Sequence, residues 1–401
     1  MPDPLLLRGG SVFDSGARTF VAADILCIDG RIERVAPNLA APANARIIEC
    51  AGRFALPGLI DCHVHLTSNG DPNALTVSAS ESLPVRSWRT ADHARKTLLS
   101  GVTTVRDLGA AERLNIDLAR AIDDGLIEGP RVLAAGLGVT MTGGHGHGFI
   151  AREADGPDDV RKAVREQLRA GARAIKLFAS GGVMTPGVDP RSPSLTEEEM
   201  RAGVEEAHKA FRVVAAHAQA ADGIKNAVRA GVDSIEHGVW IDDEAIELMR
   251  LRGTTVVPTL TAPYLIATGG LAAGIPPYMV DKAYQVLEDH IASYKRVLAA
   301  GVNVAMGTDQ GTPLSRPGEN GQEILRMAEH GLSPAAALLA ATKWAAELLQ
   351  IDKECGDLRP GLTADILVVD RDPLTDLTVL TDTQSIAAVV KGGNVVRHTA
   401  A

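Results

Sequence analysis

The feature that most constrains this chain is a unit that recurs through its middle: an amphipathic helical stretch, a glycine, then a short β-branched strand that ends in a polar residue. It is clearest where Leu98–Gly101 runs into Val102–Asp107 and where Leu168–Gly171 runs into Ala172–Lys176. Three more copies follow: Val228–Gly231 into Val232–His237, Leu251–Gly253 into Thr254–Thr259, and Leu298–Gly301 into Val302–Asp309. The glycine has a mechanical reason, since it can close a helix in the left-handed conformation. Adding Leu59–His65, Arg131–Gly136 and Arg212–His217 gives eight strands, each followed by a helical stretch. Eight such alternations in about 250 residues predict an α/β chain built as a (β/α)8 TIM barrel. An open doubly wound sheet is the rival, but no G-x-G-x-x-G follows the first strand.

The ends of the chain read differently. Asp24–Ile28 and Arg31–Val35 flank Asp29-Gly30, a dipeptide suited to a two-residue hairpin turn, and Ile386–Val390 and Asn394–Arg397 flank Lys391-Gly392-Gly393. With Ala364–Asp370 as a further apolar strand, the two ends are expected to form one small β-sandwich domain from residues 1–57 and 358–401, leaving 58–357 for the barrel. Aromatic residues make up only 3% of the 401 residues, so the inner layers must be built from Ala, Val, Leu and Ile, which suits a barrel interior.

With 40 Lys+Arg against 50 Asp+Glu, the net charge is −10. No run of Lys or Arg exceeds two residues, so a nucleic-acid partner is not expected. The N-terminal Met1–Gly10 segment has an apolar run of only three leucines and no basic region, and no stretch is long enough to span a bilayer. The four cysteines, Cys27, Cys50, Cys62 and Cys355, show no paired spacing, and reduced thiols in a soluble, cytoplasmic protein are expected.

In a parallel barrel the chemistry gathers at the C-terminal ends of the strands. Here those ends carry His63, His65, Lys176, His217, His237 and Asp309. His63 and His65, two apart on one strand, project to the same face and can grip one cation. Taken alone, an H-x-H pair is more often two satisfied histidines. Lys176 lies in the apolar run Ala174–Phe178, where desolvation favours its neutral amine. A neutral amine can add carbon dioxide to become a carbamate, an anion with two oxygens suited to bridging two cations; its plainer role is a lysine snorkelling to the rim. Asp309, whose plainer role is a helix cap, ends the eighth strand and so sits beside His63 and His65. Two glycine loops follow strands three and four, Thr140–Gly148 and Ser180–Gly187. Their glycines allow close backbone approach to a ligand, and His145 is a candidate donor to a developing oxyanion. His145-Gly146-His147 is also H-x-H, but a glycine loop is a poorer preorganised metal site than a strand. The Leu66–Arg89 segment reads as a lid or a surface insertion, and Ala262–Tyr278 as a pocket wall.

Pro57–His65, Lys176, His217, His237, Asp309 and the tail Gly356–Ile366 together resemble the amidohydrolase superfamily. That resemblance implies a binuclear centre with His63, His65 and Asp309 on one divalent ion, His217 and His237 on the other, and carboxylated Lys176 between them. Zinc is the first expectation, manganese and cobalt being compatible with the same ligands, with a bridging hydroxide as nucleophile and Asp309 as the group that takes its proton. The glycine loops look like those of the prolidase-type branch, whose members cleave dipeptides and N-acyl amino acids from the carboxyl end, some hydrolysing the amide of ochratoxin. This implies a metal-dependent peptidase of carboxypeptidase type acting on a small-molecule substrate. Ser180, Gly181, Gly182 and Val183 would help to position the C-terminal amino acid, and homo-oligomers are common among relatives. Two other readings stand beside it. A cyclic-amide hydrolase of the imidazolonepropionase kind, or a deaminase, would use a single metal; Lys176 argues for two, and His217 is followed by Ala218-Gln219-Ala220 where deaminases usually place a glutamate. A non-catalytic scaffold would be expected to have lost ligands.

Overall fold

The computed structural model describes residues 3–73 and 80–399. Two compact units divide the chain, one gathering residues up to Asp61, Arg95–Thr104 and the chain from Gly318 on, the other Cys62–Ala94 and Val105–Pro317.

The first unit holds an eight-stranded sheet contributed by both ends of the chain. Its members are β1 (Leu5–Asp14), β2 (Thr19–Ile28), β3 (Arg31–Ala36), β4 (Arg46–Glu49) and β5 (Phe54–Pro57) from one end, and β15 (Ile366–Val369), β16 (Ile386–Lys391) and β17 (Asn394–His398) from the other. The order is β17-β16-β15-β5-β1-β2-β3, with β4 also paired to β1. β1 serves two partners along one edge: Leu5–Arg8 pairs with β4 and Ser11–Val12 with β5, the register shifting between Leu7 and Gly10. The switch brings Gly10 so close to β4's end that a Cβ there would lie 2.9 Å from the Cys50 Cβ. One core packed on this sheet draws on Leu5, Ile25, Ile32, Ile48, Ala55, Ile366 and Val390. Both expected hairpins form, with Asp29 and Gly30 at φ 50° and 78° and Gly392 and Gly393 at φ 56° and 78°.

The barrel wall comprises β6 (Leu59–Val64), β7 (Val102–Asp107), β8 (Arg131–Ala134), β9 (Gly138–Thr140), β10 (Ala151–Glu153), β11 (Ala174–Phe178), β12 (Val213–Ala218), β13 (Ser234–His237) and β14 (Thr255–Val257). These make the parallel sheets β6-β7-β8 and β10-β9-β11-β12-β13-β14. The helices between them close on the repeated glycine as expected, with Gly171 and Gly231 left-handed at φ 109° and 95°.

Two strands depart from the sequence reading. The third stops at Ala134, and after Gly136 (φ 74°) the chain resumes as β9, which takes the place beside β11 through Val139 and Leu177. The eighth, Val302–Asp309, forms a bridge from Val304 to Val256 rather than a ladder. It still closes the wall: Ala305 donates to the Val256 carbonyl at 3.0 Å, Cys62 donates to Met306 at 2.9 Å, and Asp309 donates to His63 at 2.8 Å. The stretch ends at Asp309, which is left-handed at φ 57°. Within Leu66–Arg89, a helix begins at Leu83, and residues 74–79 lie outside the described residues.

All four cysteines are buried and unpaired by disulfides, burial pushing the Cys27 and Cys50 thiols up to about 12 and about 11. Among the described residues no helix is long and apolar enough to cross a membrane.

One electrostatic knot fastens the helices Pro157–Ala170 and Glu197–Lys209. The mostly buried carboxylate of Glu206 accepts from Arg165 at 2.8 Å, Lys209 at 2.8 Å and Arg161 at 2.7 Å. These bonds, Arg165's first, hold its pKa down at about 2. A depressed carboxylate pKa stabilises the fold above the unfolded value and loses that contribution as pH falls towards the folded one. Because the three cations are partly solvated, the effect is discounted to about 1–2 kcal/mol. Urea unfolding should therefore find Glu206→Gln less stable than the parent at pH 7 and the difference largely gone near pH 2. An equal deficit at both pH values would show that the carboxylate's charge is not the cause.

Candidate active site

Six titratable side chains converge at the C-terminal mouth of the barrel because each stands at or near a strand end, pointing inward. His63 is the fifth residue of β6, and His65 follows the strand directly, its amide donating to the Gln310 carbonyl at 2.8 Å. Lys176 is the central residue of β11, His217 the fifth of β12, and His237 the last of β13. The rings of His63 and His65 are 5.4 Å apart, those of His63 and His237 5.2 Å, and those of His217 and His237 4.6 Å. His63, His65 and Asp309 place their candidate ligand atoms within 4.8 Å of one another.

Every imidazole has one nitrogen held by the protein. His63 Nδ1 meets Glu236 Oε2 at 2.8 Å, His65 Nδ1 meets the Gly109 carbonyl at 3.0 Å, and His237 Nδ1 meets Thr259 Oγ1 at 2.7 Å. His217 is turned the other way, with Nε2 on the Gly181 carbonyl at 2.8 Å. The Nε2 atoms of His63 and His65 turn instead to Asp309 Oδ1, at 3.4 and 3.3 Å, and the remaining ring nitrogens are Nε2 of His237 and Nδ1 of His217. Fixing one ring nitrogen so that the other is presented with its lone pair is how metal-binding histidines are oriented.

The electrostatics are those of a dry site. Burial, then Lys176, holds His63 and His217 far below the ordinary histidine pKa, and burial, then His217 and His63, does so for His237. Burial opposes the charged form of His65 too, but Asp309 and Asp107 outweigh it and raise that pKa. Asp309 resists its own burial through His63, His65 and Lys176, which hold it at about 2. Lys176 is 2% exposed, and burial lowers its pKa to about 8 against the pull of Glu236 and Asp309. Its Nζ sits 5.5 Å from the Phe178 ring, and no hydrogen bond or ion pair reaches it among the described residues. An amine so placed, between imidazoles and a carboxylate, matches the donor set of a divalent-cation site that includes a carbamate.

Backbone strain collects at the same mouth. His237, Thr259 and Asp309, at the ends of three successive strands, are all left-handed, at φ 71°, 52° and 57°. None is glycine, and such conformations cost about 1–3 kcal/mol each, a reservoir typical of functional sites.

Beneath His63 lies a buried network that sequence reasoning did not assign. Glu236 Oε1 accepts from Arg106 at 2.8 Å and from Ser234 Oγ at 2.5 Å, and Arg106 also donates to the Cys62 carbonyl at 2.7 Å. Arg106 and Glu236 are both fully buried. The signal in the sequence was a charged residue before the last position of each of two short strand stretches, Arg106 in Val102–Asp107 and Glu236 in Ser234–His237.

The two glycine loops flank this mouth. His145 lies against His217, ring to ring at 4.6 Å, with its Nδ1 2.7 Å from Thr185 Oγ1. Burial, then His217, keeps its pKa far below the ordinary value. Its partner His147 turns Nδ1 to the Gly144 carbonyl at 2.7 Å. Of the four residues expected to position a substrate, Val183 lines the cavity. Ser180, Gly181 and Gly182 are buried behind it, because the Ser180 hydroxyl accepts from Gln219 N at 2.8 Å and the Gly181 carbonyl is taken by His217. The segment is closely packed there: a Cβ on Gly181 would lie 2.0 Å from the Asp189 carbonyl oxygen, and one on Gly182 2.5 Å from the His145 ring. From the expected wall Ala262–Tyr278, it is Ala262, Pro263 and Ile266 that reach the cavity, which measures about 1060 Å³ including its open mouth. All six convergent side chains line it, together with His145 and Ser68.

The amidohydrolase family profile matches residues 54–396. The chain belongs to the amidohydrolase family. Among its curated relatives, the ochratoxinase of Aspergillus niger is 33% identical over 368 residues, which cover 84% of this chain and 74% of that protein. Among solved structures, a prolidase complexed with N-methylphosphonate-L-proline superposes with a TM-score of 0.91 at 33% identity, over 99% of this chain and 100% of the other. A Xaa-Pro dipeptidase with methionine bound in its active site gives a TM-score of 0.89 at 30% identity, over 98% and 99%. This amidohydrolase is accordingly a hydrolase acting on C–N bonds, with the ochratoxinase and prolidase branch as its neighbourhood in the family and a candidate metal site at His63, His65 and Asp309.

Proposed function

We propose that this amidohydrolase cleaves the amide bond of dipeptides or N-acyl amino acids from the carboxyl end, using two divalent metal ions, with zinc the first expectation. The observation that carries the reading is the set of pre-turned imidazoles around an unpaired, buried Lys176 and an ionised Asp309 at the floor of one cavity. His63, His65 and Asp309 would hold one ion, His217 and His237 the other, and Lys176, as its carbamate, both. When bound, the ions supply a water acidified to near-neutral pKa and polarise the scissile carbonyl.

The protein's own residues do the rest. Asp309, anionic at working pH, accepts the proton of the attacking water and passes it to the departing amine. His145 donates to the oxygen that gains charge. Thr185 Oγ1 accepts from the Gly146 amide at 3.0 Å, and if its single hydroxyl proton goes to His145 Nδ1, the imidazole proton stands on Nε2. The apolar surroundings exclude water and strengthen each of these contacts. The relatives support the substrate class, since a prolidase holding a phosphonyl proline and a dipeptidase holding methionine share the fold at 30% identity or more.

The test is a library of dipeptides and N-acyl amino acids assayed for released amino acid by protein prepared with zinc and bicarbonate, with Lys176→Ala as the blank. Release confined to the parent protein is expected. Silence across the library with metal bound would sink this substrate class and turn the search to cyclic amides.

A further inference from the structure

The cavity has one wall whose construction the chemistry does not explain. Ser180–Asp189 leaves β11's end and returns to it: Gly181 donates to the Ser192 carbonyl at 2.8 Å and Ser194 donates to Ala179 at 2.9 Å. Between those closures the segment has no ladder of its own. Its carbonyls are instead gathered by the helix Pro277–Ala299. Lys282 Nζ donates to the carbonyls of Gly182 at 3.1 Å, Thr185 at 2.7 Å and Val188 at 2.5 Å. One helical turn earlier, the Tyr278 hydroxyl donates to the Met184 carbonyl at 3.0 Å. Four carbonyls within seven residues are thus held by two side chains spaced i, i+4 on one helix face. A half-buried ammonium whose three donors all go to main-chain oxygens is an unusual commitment for a lysine, which ordinarily keeps its head in water.

What the clamp holds is apolar. Val183, Met184 and Pro186 line the cavity from this segment beside Thr185, and Ile266, Pro263 and Phe178 line it too. Val183 also belongs to the packed cluster with Ile266, Met279, Val280 and Ala283. Among the described residues lining the cavity, the formal charges are those of Lys176 and Asp309, both at its floor. The same segment carries Thr185, the partner of His145.

We propose that Ser180–Asp189 is the specificity wall of this site for an uncharged, apolar substituent beside the scissile amide, and that Lys282 is the positioning residue that fixes its shape. The assignment of the substituent to an amide substrate rests on the function proposed above. Without the clamp, four carbonyls lose their donors, the wall opens to water, and the apolar pocket loses its contour.

Two readouts test this on the whole protein. In Lys282→Met, hydrogen exchange of the amides of residues 182–185, 187 and 188 should quicken, while strands β11 and β12 keep their protection and the metal content is unchanged. The parent should bind an N-phosphonyl phenylalanine more tightly than the N-phosphonyl glycine analogue, and the variant should lose most of that preference, a roughly 10- to 100-fold change in the ratio of Kd values. Lys282→Gln, which keeps a polar head, serves if the methionine variant folds poorly, and Tyr278→Phe should give a smaller shift of the same sign. Unchanged exchange in the segment would overturn the clamp. An unchanged ratio, or a parent that binds neither analogue, would overturn the specificity wall. A parent that binds the pair with the expected preference but hydrolyses no corresponding amide would instead sink the proposed function and leave this inference standing.

Discussion

Replacing Asp309 with asparagine is expected to reduce amide turnover by roughly 10²- to 10⁴-fold, the usual worth of a positioned general base. The carboxylate sits 3.4 Å from His63 Nε2 and 3.3 Å from His65 Nε2, and its pKa of about 2 keeps it ionised throughout the neutral range. Asparagine has nearly the same shape, so the left-handed turn at φ 57° should survive. What it lacks is the negative charge and the capacity to accept a proton. Metal held by His63 and His65 should weaken at the same time, which chelator competition would register. Turnover within a few-fold of the parent would remove Asp309 from the chemistry and reduce it to the capping role that an aspartate at this position could also fill.

The second large effect is expected one layer down. Glu236→Gln should leave the guanidinium of Arg106 buried with its charge uncompensated and destabilise the fold by about 3–5 kcal/mol. It should also release His63 Nδ1 from a charged partner, and losing such an outer partner typically weakens metal affinity about 10- to 100-fold. The two consequences separate experimentally. Unfolding of metal-free protein reports the ion pair alone, whereas the difference between metal-free and metal-loaded unfolding reports affinity. A double variant, Arg106→Met with Glu236→Gln, should recover part of the stability without recovering the affinity, because the imidazole still lacks its carboxylate. Recovery of both would mean that Glu236 serves only the packing of the barrel floor.

Much of the architecture was legible because local and global signals agreed. The glycines after Arg169-Ala170 and Arg229-Ala230 close helices in the left-handed state they were expected to take, and the Asp29-Gly30 and Gly392-Gly393 turns form with positive φ at both positions. His63, His65, Lys176, His217, His237 and Asp309 were visible as strand-end polar residues, and the fold brings them around one cavity. Other features left weaker traces. The third strand breaks at Gly136 and hands its place to Gly138–Thr140, a substitution among neighbouring strands that periodicity cannot register. Arg106 and Glu236 meet across 130 residues of sequence, and only their presence within short strands hinted at a pair. Lys282 left no trace at all, since on an amphipathic helix it reads like any surface lysine until the carbonyls it holds come into view. Pairings made by folding, rather than by spacing along one element, are where sequence reasoning ends.

The most direct measurement is turnover of an N-acyl amino acid by chelator-stripped protein as zinc is added back in the presence of bicarbonate. The account predicts activity that climbs to a plateau at about two equivalents per chain, the number expected where a carbamate joins two imidazole-bound ions. In Lys176→Ala the plateau should be absent. A plateau at one equivalent, or activity that survives without added metal, would contradict the proposed binuclear centre.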